Sequence, residues 1–154
     1  MKAPRAAQAG LRWGIKRSFL RYIARMPDGA CSVTDGADPV DESAFRFESA
    51  GDLRFRGDVR FSGHHGLLFV RIADPELLVD GTRGTLTVPG DPRDPDGPER
   101  VPLVTFELTD AGDGTTNGTV VRLTPHGAEL FNSVYPAGEP FDDFTIHPER
   151  GDLR

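Results

Sequence analysis

The chain has 154 residues, of which 37% are apolar and 27% charged, with a formal net charge of −6 and a single cysteine. That length fits one domain with a real core, the acidic balance argues against non-specific nucleic-acid binding, and Cys31 alone leaves no disulfide framework and no Cys-based zinc site. No window approaches the ~20 apolar residues of a membrane span. The start, MKAPRAAQAG, is basic but lacks a signal peptide's apolar core, so a cytoplasmic chain is expected.

Eighteen glycines and thirteen prolines break up short apolar runs, which is the pattern of a turn-rich, strand-rich fold. Residues 1–10 read as a loose leader. Leu11 to Met26 is the one long segment with helical spacing, because Leu11, Ile15, Phe19, Tyr22 and Met26 share one face of a helix. Tyr22 falls near the middle of that stripe, where a buried phenol needs a hydrogen-bond partner. Five cations gather in the same stretch, Arg12, Lys16, Arg17, Arg21 and Arg25. They read as a solvated face, or as one turned to a phosphate, a membrane surface or a ligand's carboxylates.

Pro27-Asp28-Gly29 ends the helix. Ala30 to Thr34 reads as a short strand, and the acidic Asp35 to Ser43, with Gly36 and Pro39, as a loop. The clearest strand signal is Leu53 to Phe61. Leu53, Phe55, Gly57, Val59 and Phe61 alternate with Arg54, Arg56, Asp58 and Arg60. A glycine-bracketed turn with His64 and His65 follows, and Leu67 to Ile72 completes a hairpin. Further strands are expected at 76–80, 85–88, 101–108, 119–123 and 141–146, with residues 89–100 a Pro-rich surface loop and 112–118 a glycine turn. Thr124-Pro125 is a helix N-cap with proline at the first position, opening a short C-terminal helix. The expected fold is mainly β: an antiparallel β-sandwich or barrel-like domain of about eight or nine strands with a helix near each end. One domain at 11–147 and a tail at 148–154 follow.

Among the chemistry-bearing residues, only His64 and His65 are clustered histidines. Adjacent residues on extended backbone point apart and no third ligand is spaced to help, so an all-protein zinc site is disfavoured. G-x-S-x-G is absent, and the glycines at 112–118 belong to a hairpin turn rather than a phosphate loop. Nothing in GACSV lowers the thiol pKa of Cys31.

Three stretches stand out in order: W-G-I-K-R-S-F-L-R-Y (Trp13 to Tyr22), V-R-F-S-G-H-H-G-L-L (Val59 to Leu68) and L-T-P-H-G-A-E-L-F-N-S-V-Y-P-A-G (Leu123 to Gly138). They resemble the signature stretches of the HtaA domain, the haem-binding region of secreted and membrane-anchored haem-uptake proteins of Gram-positive bacteria. The resemblance runs from residue 11 to about residue 146. It implies one ferric haem b bound through a tyrosine axial ligand, with a histidine hydrogen-bonded to the tyrosine oxygen. The matching positions are Tyr22 as the iron ligand and His64 as its partner. Ser18 matches the family's serine and is a candidate for a propionate contact, as Phe19 and Tyr135 are for the pocket wall; Arg17 and Arg21 lie on the far side of the wheel. A phenolate is a hard donor suited to ferric iron. Its coordination must displace a proton whose pKa is about 10 in free phenol, and a neighbouring imidazole stabilises the phenolate.

Strand parity alone favours His65 over His64, because His64 falls on the arginine face if the 53–61 alternation continues. A turn at Ser62-Gly63 can reset that register, since glycine is where strands bulge, and the motif match is the ground for taking His64. The first functional reading is a non-catalytic haem-binding protein that carries, transfers or buffers haem, with another haem-transfer protein as a partner. The second is a haem-dependent enzyme on the same site, for haem degradation or peroxidase-like chemistry, although no distal acid–base group is evident. The third is a strand-rich interaction module with a degenerate pocket.

Overall fold

The stretch read as one helix from Leu11 to Met26 divides in two. Gly10–Trp13 is a strand, β1, and only Arg17–Arg25 forms the helix α1. The division follows from packing. Leu11, Trp13 and Ile15, two residues apart, are all 0–1% exposed, so the first half of the segment follows the period of a strand. Ile15 then takes a φ of 64°, a rare setting for a β-branched residue, and a Cβ on Gly14 would lie 2.3 Å from the Ser43 carbonyl oxygen.

The computed structural model describes residues 9–90 and 94–148. Of the expected leader and tail, residues 1–8 and 149–154 lie outside the described residues, and β1 already includes Gly10. After α1 come β2 (Ala30–Thr34), β3 (Ala37–Asp41), β4 (Ala44–Gly51), β5 (Arg54–Arg56), β6 (Asp58–Gly63), β7 (Leu68–Ala73) and β8 (Glu76–Asp80). Then follow β9 (Arg83–Pro89), β10 (Arg100–Asp110), β11 (Thr116–Leu123), the short helix α2 (Pro125–Leu130) and β12 (Phe144–His147). The mainly β class with a helix near each end holds, and twelve strands stand among the described residues where about eight or nine were expected.

Eight of these strands close into an antiparallel barrel. The order runs β1-β12-β11-β10-β9-β8-β5-β4, and β4 pairs back onto β1 with Leu11 opposite Phe47 and Trp13 opposite Phe45. The acidic segment expected as a loop supplies β3, an additional strand on β4. Its Pro39 is tolerated because β3 is the terminal strand of its sheet, and Asp38 pairs with Arg46 at 2.9 Å.

The expected strand Leu53 to Phe61 belongs to two sheets. β5 completes the barrel, whereas β6 joins β2 and β7 in a separate three-stranded sheet. The switch is at Gly57, where φ is 151° and a Cβ would lie 2.5 Å from that of Ala37. The alternation survives the break: Phe55, Val59 and Phe61 are buried, and Arg54, Arg56 and Arg60 are exposed. Leu53, in the turn before β5, departs from the pattern at 37% exposed, and so does Asp58. Its carboxylate is buried, with Arg60 Nε at 3.0 Å from Oδ1 and Arg71 Nε at 3.1 Å from Oδ2.

At the other end Thr124 Oγ accepts the Gly127 N–H at 2.8 Å, capping α2 as expected, and donates to the Pro102 carbonyl at 2.6 Å. The glycine turn is shorter than expected, since Gly118 lies within β11. A Cβ there would meet the Phe144 ring at 2.1 Å, so packing against an aromatic ring requires this glycine.

Burial pushes the Asp58 carboxyl up, but its bonds to Arg60 and Arg71 outweigh that and hold it below the usual carboxylate range. A pKa depressed in the folded state stabilises above the unfolded value of about 3.9, and that contribution is lost as pH falls through the folded value. Asp58→Asn is therefore expected to cost about 2 kcal/mol at pH 7. Urea denaturation should show the two proteins converging as the pH drops below about 4.

Candidate functional site

Helix α1 buries Phe19 and Ile23 and exposes Arg17, Ser18, Arg21, Tyr22 and Arg25. Tyr22 is therefore not sunk in an apolar seam as the helical wheel suggested; it is 40% exposed. Shortening the helix also disperses the cation cluster. Arg12 is on β1, 3.7 Å from Asp41, and Lys16 is the helix N-cap, 3.1 Å from Glu139.

The Tyr22 hydroxyl lies 2.5 Å from His64 Nε2. His64 opens a single 3-10 turn, His64–Gly66, between β6 and β7. The strand arrives fully extended at Gly63, and His64 and His65 then take φ values of 49° and 56°. Two left-handed residues in succession reset the face, which is why strand parity pointed to the wrong histidine for contact with Tyr22. The His65 side chain is 96% exposed. A Cβ on Gly63 would lie 2.0 Å from Met26 Sδ, so the end of β6 fits closely against the end of α1.

Asp28, just beyond that helix end, accepts both histidine backbone N–H groups, from His64 at 3.2 Å and from His65 at 2.6 Å. The His65 N–H is the main cause that holds its carboxyl below the usual range.

Behind this surface Phe19 is fully buried at the centre of an aromatic cluster. Its ring lies 5.1 Å from Phe61, 5.2 Å from Phe131, 6.2 Å from Tyr135 and 6.4 Å from Tyr22. Tyr135 is half-buried, and that burial raises its pKa, with the neighbouring Ser18 hydroxyl opposing the rise. Phe19, Ser18, Tyr22, His64 and Tyr135 thus come together, Phe19 as buried support and the others nearer solvent.

Sequence reasoning passed over several neighbours. Leu67 is 84% exposed and its N–H bonds back to the His64 carbonyl at 3.0 Å; Val134, beside Tyr135, is 45% exposed. Asn132 Oδ1 accepts the Phe69 N–H at 3.0 Å and ties the two segments. The run Leu67 to Val70 held a usable signal: four apolar residues in a row on a strand cannot all face the core. Asp28 gave no signal beyond a turn.

Other candidates lie apart. Cys31 is exposed on β2, and partial burial of its thiol raises the pKa, opposite to an activated nucleophile. Among the described residues no three His, Cys, Asp or Glu side chains gather to hold a metal ion, and no helix is long and apolar enough to cross a membrane. A groove of about 600 Å³ between β8 and β11, floored by Leu78, Val79, Phe106 and Val120, shares no residue with the Tyr22 surface.

A closed antiparallel barrel, a side sheet and a helix-borne tyrosine bonded to a histidine in a strained turn define the class. The HtaA family matches residues 8–147, and the chain belongs to that family. Among solved structures, the C-terminal domain of HtaA from Corynebacterium glutamicum is similar at 26% identity and a TM-score of 0.71, over 91% of this chain and 96% of that one. The haem-binding protein HtaB from the same organism is similar at 20% identity and a TM-score of 0.69, over 88% and 89%. The N-terminal domain of that HtaA gives 23% and 0.66, over 90% and 97%. The last two likenesses concern the fold alone. No curated protein matches in sequence.

The differing burial of the two helix aromatics leads to opposite expectations. Phe19→Ala should cost about 3–5 kcal/mol in urea denaturation, as for a cavity left in a packed core. Tyr22→Phe should stay within about 1 kcal/mol of wild type, because its hydrogen bond is exposed.

Proposed function

We propose that this chain binds ferric haem b without turning it over, through Tyr22 as axial ligand with His64 bonded to the ligand oxygen. The observation that carries this reading is the 2.5 Å contact between Tyr22 Oη and His64 Nε2. Membership of the HtaA family supports it.

The residues present fit the group. With no cluster of donors among the described residues, the side chains can supply one axial oxygen but not a whole coordination sphere. That suits an iron already held in a macrocycle. Leu67 and Val134 offer exposed apolar surface on the segments flanking the pair, and Ser18 and Arg25 on α1, four residues before and three after Tyr22, offer a donor and positive charge for carboxylates.

Haem, when bound, would supply a Lewis-acidic iron centre for these residues to hold. For Tyr22 to serve as an anionic ligand its phenol must lose a proton. His64 Nε2 is the base within reach: as acceptor it holds the phenol proton, and once it takes that proton its N–H donates back to the phenolate. The ligand's orientation and charge are then set by one neighbour. A half-exposed tyrosine at a surface leaves the ligand reachable by a second protein, so carriage, buffering and hand-over to a haem-transfer partner are the roles it suits.

Haemin titration with absorption spectroscopy tests this. Wild type should give a shifted Soret band and a long-wavelength phenolate charge-transfer band, both lost in Tyr22→Ala. His64→Ala should weaken binding about 10- to 100-fold, as expected for loss of a ligand's hydrogen-bond partner, while His65→Ala stays near wild type. No Soret shift at micromolar haemin would sink the proposal. Bile pigment on adding reductant and oxygen would overturn its non-catalytic part.

A further inference from the structure

The turn that carries His64 is an unfavourable piece of backbone. His64 and His65 are successive non-glycine residues at φ 49° and 56°, a setting that crowds Cβ against the carbonyl and persists only where surroundings impose it. The turn is also exposed, so no packed core imposes it. The pairing of Gly63 with Leu68 and the Leu67 N–H bond to the His64 carbonyl at 3.0 Å close the turn, and one side chain holds its two strained residues from outside. Asp28 Oδ1 takes the His64 N–H and Oδ2 takes the His65 N–H, at 3.2 and 2.6 Å, bonds strengthened by the carboxylate charge.

Asp28 is itself fixed to α1. The Met26 N–H bonds to the Ile23 carbonyl at 3.2 Å and the Gly29 N–H to the Met26 carbonyl at 3.0 Å. Gly29 is wound so closely that a Cβ would lie 2.0 Å from the Ile23 oxygen. Tyr22 and Asp28 therefore hang from the same helix end, and each reaches across to the same turn: the hydroxyl to the His64 ring, the carboxylate to the His64 backbone. Fixing the backbone from that side leaves the imidazole one direction in which to meet the phenol.

We propose that Asp28 is the positioning residue of this site: its carboxylate imposes the left-handed His64-His65 turn and thereby sets the Tyr22–His64 contact. The inference rests on the reading of Tyr22 and His64 as the haem-binding pair, but its first test needs no haem.

In the protein without haem, amide hydrogen exchange should show the His64 and His65 N–H groups protected in wild type and exposed in Asp28→Ala. The His64 imidazole NMR signals should shift toward those of a free side chain. Asp28→Asn, which keeps one carbonyl acceptor, should fall between. With haemin, Asp28→Ala should weaken binding about tenfold or more and shift the charge-transfer band, like other losses of a ligand's outer support. The discriminating variant adds a glycine where the strain is. In Asp28→Ala/His65→Gly one of the two left-handed residues no longer resists the turn, so affinity should recover by several-fold over Asp28→Ala while staying below wild type, the remainder being the strain still at His64 and the added freedom of the unbound chain. A merely structural aspartate would not be rescued this way. Unchanged exchange in Asp28→Ala, or a double variant as weak as the single one, overturns the inference. Wild-type protein that protects these amides yet binds no haemin would instead remove the haem reading and leave the positioning intact.

Discussion

Strand β1 is hydrogen-bonded along both edges, to β12 on one side and to β4 on the other, and this double pairing closes the barrel. A closed barrel has no free edge to satisfy, and the chain leaving β1 is held at once. Trp13 Nε1 donates to the Asp142 carbonyl at 2.8 Å, the Asp142 N–H bonds to the Ile15 carbonyl at 2.9 Å, and Asp142 Oδ2 accepts the Arg17 N–H at 3.2 Å. The segment before β12 thus clamps the passage from strand to helix. Helix α1 has one exit direction, and the position of Tyr22 follows.

The second half of the site arrives from elsewhere in the chain. Gly57 lets the backbone leave the barrel, the Asp58 pairs with Arg60 and Arg71 anchor the side sheet, and Phe61 brings that sheet onto Phe19. Because Phe19 also touches Tyr135 and Phe131, one buried ring joins the helix, the side sheet and the segment after α2. Rigidity lies in that buried layer, and the polar atoms above it stay accessible. An exposed hydrogen bond between Tyr22 and His64 adds little to folding.

Much of this was legible in the chain. Strict alternation over 53–61 showed the burial of Phe55, Val59 and Phe61 and the exposure of Arg54, Arg56 and Arg60, because a half-buried strand must alternate whatever it pairs with; it failed at Leu53, which lies outside the strand and is exposed, and at Asp58, which is buried between two arginines. Thr124-Pro125 showed a cap, because its bond is local. The errors also have physical causes. Leu11, Ile15 and Phe19 fit a helical stripe, but Leu11, Trp13 and Ile15 fit a strand equally well, and local spacing does not choose between them. The choice was made by β4 and β12, distant in sequence, which supply the hydrogen bonds. Asp35 to Ser43 looked like a loop because acidic residues and Pro39 are poor strand formers, yet β4 offered an edge on which they are tolerated.

Taken alone, the sequence determined the mainly β class, the hairpin around the two histidines, the capped C-terminal helix and the residue types available for chemistry. These depend on periodicity and on neighbours a few residues away. Tertiary structure alone decided that the barrel closes, that Tyr22 is half-exposed and that Asp28 ties the turn to the helix; His64 was legible only through the likeness of Val59 to Leu68 to the family's stretch, since strand parity favoured His65. The partners in those contacts are 42, 36 and 37 residues apart. Their meeting depends on a backbone turn of unfavourable hand that no side-chain pattern encodes, held by a carboxylate whose reach exists only once helix and side sheet have packed.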